Sequence, residues 1–258
     1  MNSNLNLKDR IDRQGFVIGT MLQDVRDPFV IQLIAAAQLD FVIIDTEHGA
    51  YNNETVADLV KLARALGVIP LVRVVTPTYE HLCPRLDAGA RGLVIPRVDC
   101  AETVEQAVRC TKYPPLGTRG FVSLKGQTDY VHPNIVSHIE TSNATNFIIP
   151  QIELMGALDH LDAILSVKGI DVVMVGPADL SVALGHPGDM DRPDQIGRIE
   201  KVIESCVERD IVPGIHVGTA AVALEWKKRG MRFLSCGADV GFLRTGLNEV
   251  AAKLRATD

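Results

Sequence analysis

No run of lysine or arginine longer than the three residues at 227–229 occurs in this sequence, and its formal net charge is −6. Nucleic-acid binding is therefore not expected, because neutralising phosphates takes a clustered basic surface. No apolar stretch reaches the roughly 18 residues that a membrane span needs. Residues 1–14 are polar and charged, without the apolar stretch of a signal peptide. These absences predict a soluble, unexported protein that engages no membrane. Cysteine is sparse and odd in number: Cys83, Cys100, Cys110, Cys206 and Cys236, with no C-x-x-C pair. That excludes a disulfide framework or a zinc knuckle and points to a reducing cytoplasm, with each thiol packed as a small hydrophobe. There is no low-complexity tract and no linker.

What is present is alternation. With 47% hydrophobic residues over 258 positions, the chain has material for one large core. Eight short runs rich in Val, Ile, Leu and Phe stand at 16–22, 41–45, 70–75, 92–98, 146–153, 171–176, 212–217 and 233–236. They are almost wholly apolar, the pattern of strands covered on both faces of a parallel sheet. Amphipathic stretches separate them. In 54–66, Val56, Leu59, Val60, Ala63 and Leu66 share one side, and 101–111 and 192–209 read similarly. Eight strand–helix repeats predict a single (β/α)₈ TIM barrel over residues 1–258, with an open doubly wound sheet as the alternative. Two stretches break the rhythm: 112–145, expected to form an extra loop over the barrel mouth, and the Gly/Pro/Asp-rich turn at 182–194.

In such a barrel the chemistry sits at the C-terminal ends of the strands. Several apolar runs end in ionisable groups: Asp45-Thr46-Glu47-His48, Arg73, Gln151-Ile152-Glu153, and Gly176-Pro177-Ala178-Asp179. Glu153 and Asp179 follow consecutive strands. Two carboxylates with water and substrate oxygens suit Mg²⁺ or Mn²⁺, but each would equally cap the helix that follows. Arg73 is costly in an apolar strand unless paired, so it either bridges to Asp45 or Glu47 or polarises a substrate oxygen, and the two roles are compatible. His48 has the near-neutral reference pKa of a general base, or is a plain surface residue. Asp87 either orients a histidine or caps a turn. GPADLS at 176–181 has the form of a strand-to-helix anion site.

Taken in order, FVIIDTEHGAYN (41–52), PLVRV (70–74), LDAGARGLVIPRV (86–98), YPPLGTRG (113–120), QIEL (151–154) and GPADLSVALGHPGD (176–189) resemble the HpcH/HpaI aldolases, the class II metal-dependent pyruvate aldolases. The resemblance covers nearly the whole chain. It implies a pyruvate-binding (β/α)₈ barrel, assembled as a trimer or a hexamer of swapped pairs. It implies Glu153 and Asp179 as ligands of Mg²⁺, Mn²⁺ or Co²⁺, with Gln151, Ala178 and Asp179 holding a 2-oxo acid. It further implies His48, made more basic by Asp87, as base through a bound water, Arg73 as stabiliser of the enolate and the aldehyde oxygen, and Glu47 close to the metal's waters. The implied activity is retro-aldol cleavage or condensation of a 4-hydroxy-2-oxo acid, giving pyruvate or hydroxypyruvate and a small aldehyde. No lysine ends a strand as a Schiff-base candidate.

The chain departs from the pattern at Met21, where an aromatic is frequent, around Val122 after YPPLGTRG, and at His216, where an aliphatic residue is common. All three are expected at the mouth that receives the aldehyde. Oxaloacetate decarboxylation, an acyl-CoA lyase-type reaction through the same enolate and a non-catalytic metabolite-binding barrel are the alternatives.

Overall fold

A computed structural model describes residues 5–256; the first four and last two positions of the expected 1–258 domain lie outside the described residues. Eight parallel strands close into a barrel in sequence order. They are β1 (Val17–Leu22), β2 (Phe41–Asp45), β3 (Ile69–Arg73), β4 (Gly92–Ile95), β5 (Phe147–Ile152), β6 (Val172–Val175), β7 (Val212–Val217) and β8 (Phe233–Ala238). All eight overlap the runs anticipated above, with ends that differ by up to three residues; β3 starts one residue earlier than its run and β8 ends two residues later.

The barrel interior is filled from the floor upward. Phe41 and Phe233 stack with ring centroids 4.2 Å apart. Each large ring faces a glycine on the neighbouring strand. A Cβ on Gly19 would lie 2.4 Å from the Phe41 ring, one on Gly214 2.8 Å from Phe233, and one on Gly92 2.9 Å from Phe147 Cβ. This pairing of large with small lets the rings cross the axis without overpacking, which costs about 1–3 kcal/mol when it occurs. Above them Met21, Ile43, Leu71, Val94, Ile149 and Met174 complete the inner cluster. Met21 thus forms part of the packed interior.

Helix α1 (Leu7–Gln14) closes the bottom. Asn6 caps it by accepting from Lys8 and Asp9 N–H, and its Leu7 and Ile11 join the inner cluster. The remaining helices sheath the barrel: α2 (Phe29–Ala36), α3 (Asn53–Ala65), α4 (Tyr79–Ala88), α5 (Ala101–Thr111), α6 (Ile135–Thr145), the short α7 (Met155–Asp159), α8 (Leu161–Leu165) and α9 (Pro177–Ala183), then α10 (Pro193–Val207), α11 (Ala220–Lys228) and α12 (Asp239–Arg255). In α3 the apolar side is Val56, Leu59, Val60 and Ala63, capped by Asn52 accepting from Thr55 N–H; Leu66 lies at the helix end and is exposed. Among the described residues no helix is long and apolar enough to cross a membrane.

The segment expected to cover the mouth takes another course. Its Gly120 N–H donates to Tyr79 Oη at the start of α4, and Gly126 packs on the Ala88 carbonyl at the end of α4. Residues 113–130 therefore run down the outside of α4 from the mouth side to the floor side, and α6 follows. Val122 belongs to this outer segment, its carbonyl accepting from Gln127 Nε2, and it does not line the mouth of its own barrel.

Candidate active site

Strand register brings Asp45 and Arg73 side by side at the tops of β2 and β3. Arg73 Nε donates to Asp45 Oδ1 at 2.8 Å and Nη2 to Oδ2 at 2.6 Å, while Nη1 lies 3.2 Å from Glu47 Oε2. Both sequence-level roles for Arg73 begin from this ion pair. Burial alone would raise the Asp45 pKa, but Arg73's hydrogen bonds and charge outweigh it and leave the carboxyl below its ordinary value. The converse holds for Arg73, which burial would lower and Asp45 keeps raised.

Asp45 does more than pair with Arg73. Its Oδ1 also accepts from Glu47 N–H at 3.0 Å and His48 N–H at 3.4 Å, and its Oδ2 accepts from Gln23 Nε2 at 3.2 Å. A single fully buried carboxylate thus fixes the guanidinium, the turn that carries Glu47 and His48, and the loop after β1. Gly49 completes that turn, because a Cβ there would sit 2.3 Å from the Asp45 carbonyl. From the sequence, Asp45 is expected only as a partner for Arg73. The one available signal was a charge ending an otherwise apolar strand.

Glu153 follows β5 and is 2% exposed. Its Oε1 accepts from Arg97 N–H at 2.7 Å, and its Oε2 from Gln151 Nε2. Arg97 presents that N–H from a left-handed backbone conformation, φ +52°, a strain that side-chain-bearing residues keep where the surroundings hold it. Gly176 leaves the room this carboxylate needs: a Cβ would lie 2.7 Å from Glu153 Oε2 and 3.0 Å from Gln151 Nε2. Asp179 stands on the first turn of α9, where the N–H groups of Ala178 and Asp179 precede the intrahelical ladder.

The electrostatics tie these groups together. Burial raises the Glu153 pKa, and the charges of Asp179 and Glu47 add to it against the bonds from Arg97 and Gln151. Burial likewise raises Glu47, with Asp45 and Asp179 adding and Arg73 and His48 opposing. Gln151 Oε1 is buried without a hydrogen-bond partner, and Glu47 Oε2 is buried with its ion pair to Arg73 in place of a hydrogen bond. Converging carboxylates that disfavour their own ionisation, beside the unpartnered Gln151 oxygen, form an oxygen-rich setting that a divalent cation would neutralise. Among the described residues no three His, Cys, Asp or Glu side chains group as a ready ligand set.

His48 is on the same rim, its side chain 64% exposed and Nε2 3.9 Å from Glu47 Oε2. Asp87 is elsewhere. It lies in the last turn of α4 and accepts from Arg119 Nη2 at 2.8 Å. Within the chain no hydrogen bond or ion pair joins it to His48 among the described residues. α4 carries Asp87 away from the mouth, whereas His48 sits at the end of β2. His216 points into the barrel from β7, its Nδ1 2.8 Å from Ser235 Oγ.

The model of the HpcH/HpaI aldolase/citrate lyase family matches residues 22–245. The 4-hydroxy-2-oxo-heptane-1,7-dioate aldolase of Klebsiella pneumoniae subsp. pneumoniae is 34% identical over 225 residues, covering 86% of this chain and 83% of that protein. The hydroxypyruvate/pyruvate aldolase of Roseovarius nubinhibens is 31% identical over 232 residues, 90% of each. The crystal structure of an HpcH/HpaI aldolase from Desulfitobacterium hafniense DCB-2 superposes with a TM-score of 0.94 at 35% identity over 98% of both chains. Sequence match, closed barrel and strand-end carboxylates agree, and the chain belongs to the HpcH/HpaI aldolase/citrate lyase family.

Proposed function

We propose that this protein is a divalent-metal-dependent pyruvate aldolase, which cleaves a 4-hydroxy-2-oxo acid to pyruvate or hydroxypyruvate and an aldehyde, or joins them. The observation that carries the reading is the buried Glu153 and the half-buried Glu47, both with pKa raised and both beside the charge of Asp179, at one rim with Arg73. Charges placed there without a ligand are costly, which favours a site that binds one. Members of the family generally depend on a divalent metal. Glu153 and Asp179 would hold it, as Mg²⁺, Mn²⁺ or Co²⁺, and it would supply Lewis-acid stabilisation of the keto oxygen.

The chain's own groups do the rest. Gln151 and the backbone N–H groups of Ala178 and Asp179 hold the 2-oxo acid. His48 takes a proton from the methyl group in condensation and returns it in cleavage. Arg73, fixed by Asp45, presents permanent positive charge to the oxygen on which negative charge builds. Asp87 does not reach His48 of its own chain; in this reading it orients His48 of a second copy. Mixing His48→Ala and Asp87→Ala chains should then restore activity that neither has alone.

A homo-oligomer, a trimer or hexamer, is supported by α12. Its Phe242, Leu243, Leu247, Val250 and Leu254 are all exposed, and a groove of about 460 Å³ between α2 and α12 is lined by Leu22, Phe29, Leu33 and Phe242. Free cysteines at all five positions suit the cytoplasm. The deciding assay measures pyruvate release from a 4-hydroxy-2-oxo acid before and after EDTA, and after Mn²⁺ is restored. Absence of metal-dependent release across a panel of acceptors would refute the reading.

A further inference from the structure

One wall of the barrel mouth is used by none of the groups above. β7 lies across the barrel from β3, so His216 faces the Arg73 side from the opposite wall. His216 and Ser235 are directly paired in the register of β7 and β8, with Nδ1 and Oγ 2.8 Å apart. Ser235 is 0% exposed, and His216 Nδ1 is the one hydrogen-bond partner of its hydroxyl among the described residues. An O–H donated to Nδ1 leaves the imidazole proton on Nε2. The reverse arrangement would strand a hydroxyl proton in the core at a cost of about 1–3 kcal/mol. Nε2 itself bonds nothing among the described residues, and His216 keeps part of its surface accessible. At the upper end of β7 that access is through the mouth, so Nε2–H is a donor offered to whatever fills it.

The donor is uncharged. Burial, then the charge of Arg73, push the His216 pKa down to about 4. The cation facing it, Arg73, is already matched by Asp45 and Glu47. An anionic group arriving here would find carboxylates and a neutral N–H, whereas a hydroxyl would find a complementary partner.

We propose that His216, held by Ser235, is a specificity-determining residue whose Nε2–H binds a hydroxyl on the acceptor half of the substrate, so that hydroxylated aldehydes are preferred to their deoxy counterparts. The inference rests on the aldolase reading and deepens it. A site built to hydrogen-bond a substrate oxygen rejects the analogue lacking it more strongly than an apolar pocket separates homologues.

The test uses the full-length protein supplied with Mn²⁺ and compares kcat/KM for pyruvate addition to glycolaldehyde and to acetaldehyde. The ratio is compared between variants, which cancels the intrinsic reactivity of the two aldehydes and any shared effect on enolisation. His216→Leu should lower the ratio by about tenfold, Ser235→Ala should lower it by less, and His216→Gln, which keeps an N–H donor, should recover much of it. Ser235→Ala supplies the measurement if His216→Leu does not fold. A ratio unchanged in both overturns the inference. Exchange of pyruvate methyl protons with D₂O in the wild type separates the two levels: if exchange occurs and the ratio is unmoved, only this inference fails, and if exchange is absent the proposed function falls with it.

Discussion

Asp45 and Arg73 are bound to each other by two parallel hydrogen bonds, 2.8 and 2.6 Å, between adjacent strands in direct register. This bidentate geometry is one that only a planar guanidinium fits. Arg73→Lys should therefore lose most of the activity, although it keeps the charge. Arg73→Ala should abolish cleavage while still binding Mn²⁺, as read by steady-state kinetics and calorimetric titration. Removing one member of a buried pair leaves the other uncompensated, so Asp45→Ala should also cost about 3–5 kcal/mol in chemical denaturation.

Glu153 gives a prediction of two signs. Its pKa is raised in the folded chain, so the folded state binds more protons than the unfolded one just above the ordinary carboxylate range. Stability then falls as pH rises through that window, and the penalty persists at neutral pH. Glu153→Gln should raise the melting temperature of the metal-free protein at pH 7 and abolish the Mn²⁺ isotherm. A variant less stable than wild type, or one with unaltered affinity, would contradict this account.

Gly176→Ala tests the cradle around that carboxylate. The added methyl would meet Glu153 Oε2 and Gln151 Nε2 at 2.7 and 3.0 Å. The backbone there is ordinary, φ −103°, so the effect is one of displacement rather than strain. Mn²⁺ affinity should drop by roughly 10–100-fold, with little change in denaturation midpoint.

His216 sets an acid limit. The unfolded imidazole takes its proton near 6.5, the folded one near 4. Between those values the unfolded state binds more protons, so stability is complete above about 6.5 and drains away as pH falls towards 4. Replacing His216 with Val should flatten this dependence, a difference on the order of 1–3 kcal/mol between pH 7 and 4.5 in urea titrations. His138, whose pKa burial also lowers, would leave a residual slope in that variant.

The barrel was legible in the sequence because its strands are buried on both faces, and a covered strand can hardly contain anything but apolar residues. Glu47, Arg73, Gln151 and Glu153 stood out for the same reason: each interrupts or ends such a run. What could not be read was where polar segments go. Residues 113–130 satisfy their hydrogen bonds on the outside of α4 as readily as they would over the mouth, and nothing local chooses between the two. The place of Asp87 was hidden with them, since its partner within the chain, Arg119, lies in that segment. The wide reach of Asp45 was hidden because most of its donors are backbone N–H groups and a glutamine, which carry no composition signal. The plug formed by α1 was missed because three apolar residues, Leu5, Leu7 and Ile11, are dispersed among charges.

Asp239, the first residue of α12, accepts the N–H groups of Gln23, Asp24 and Val25. The same Gln23 reaches Asp45 through its side chain. The last helix and the first loop are thereby one mechanical unit, though they stand at opposite ends of the polypeptide. Clipping the chain ahead of position 239 would do more than strip away an outlying helix: it would unmoor the loop after β1 and, through one amide, slacken the Asp45–Arg73 pair.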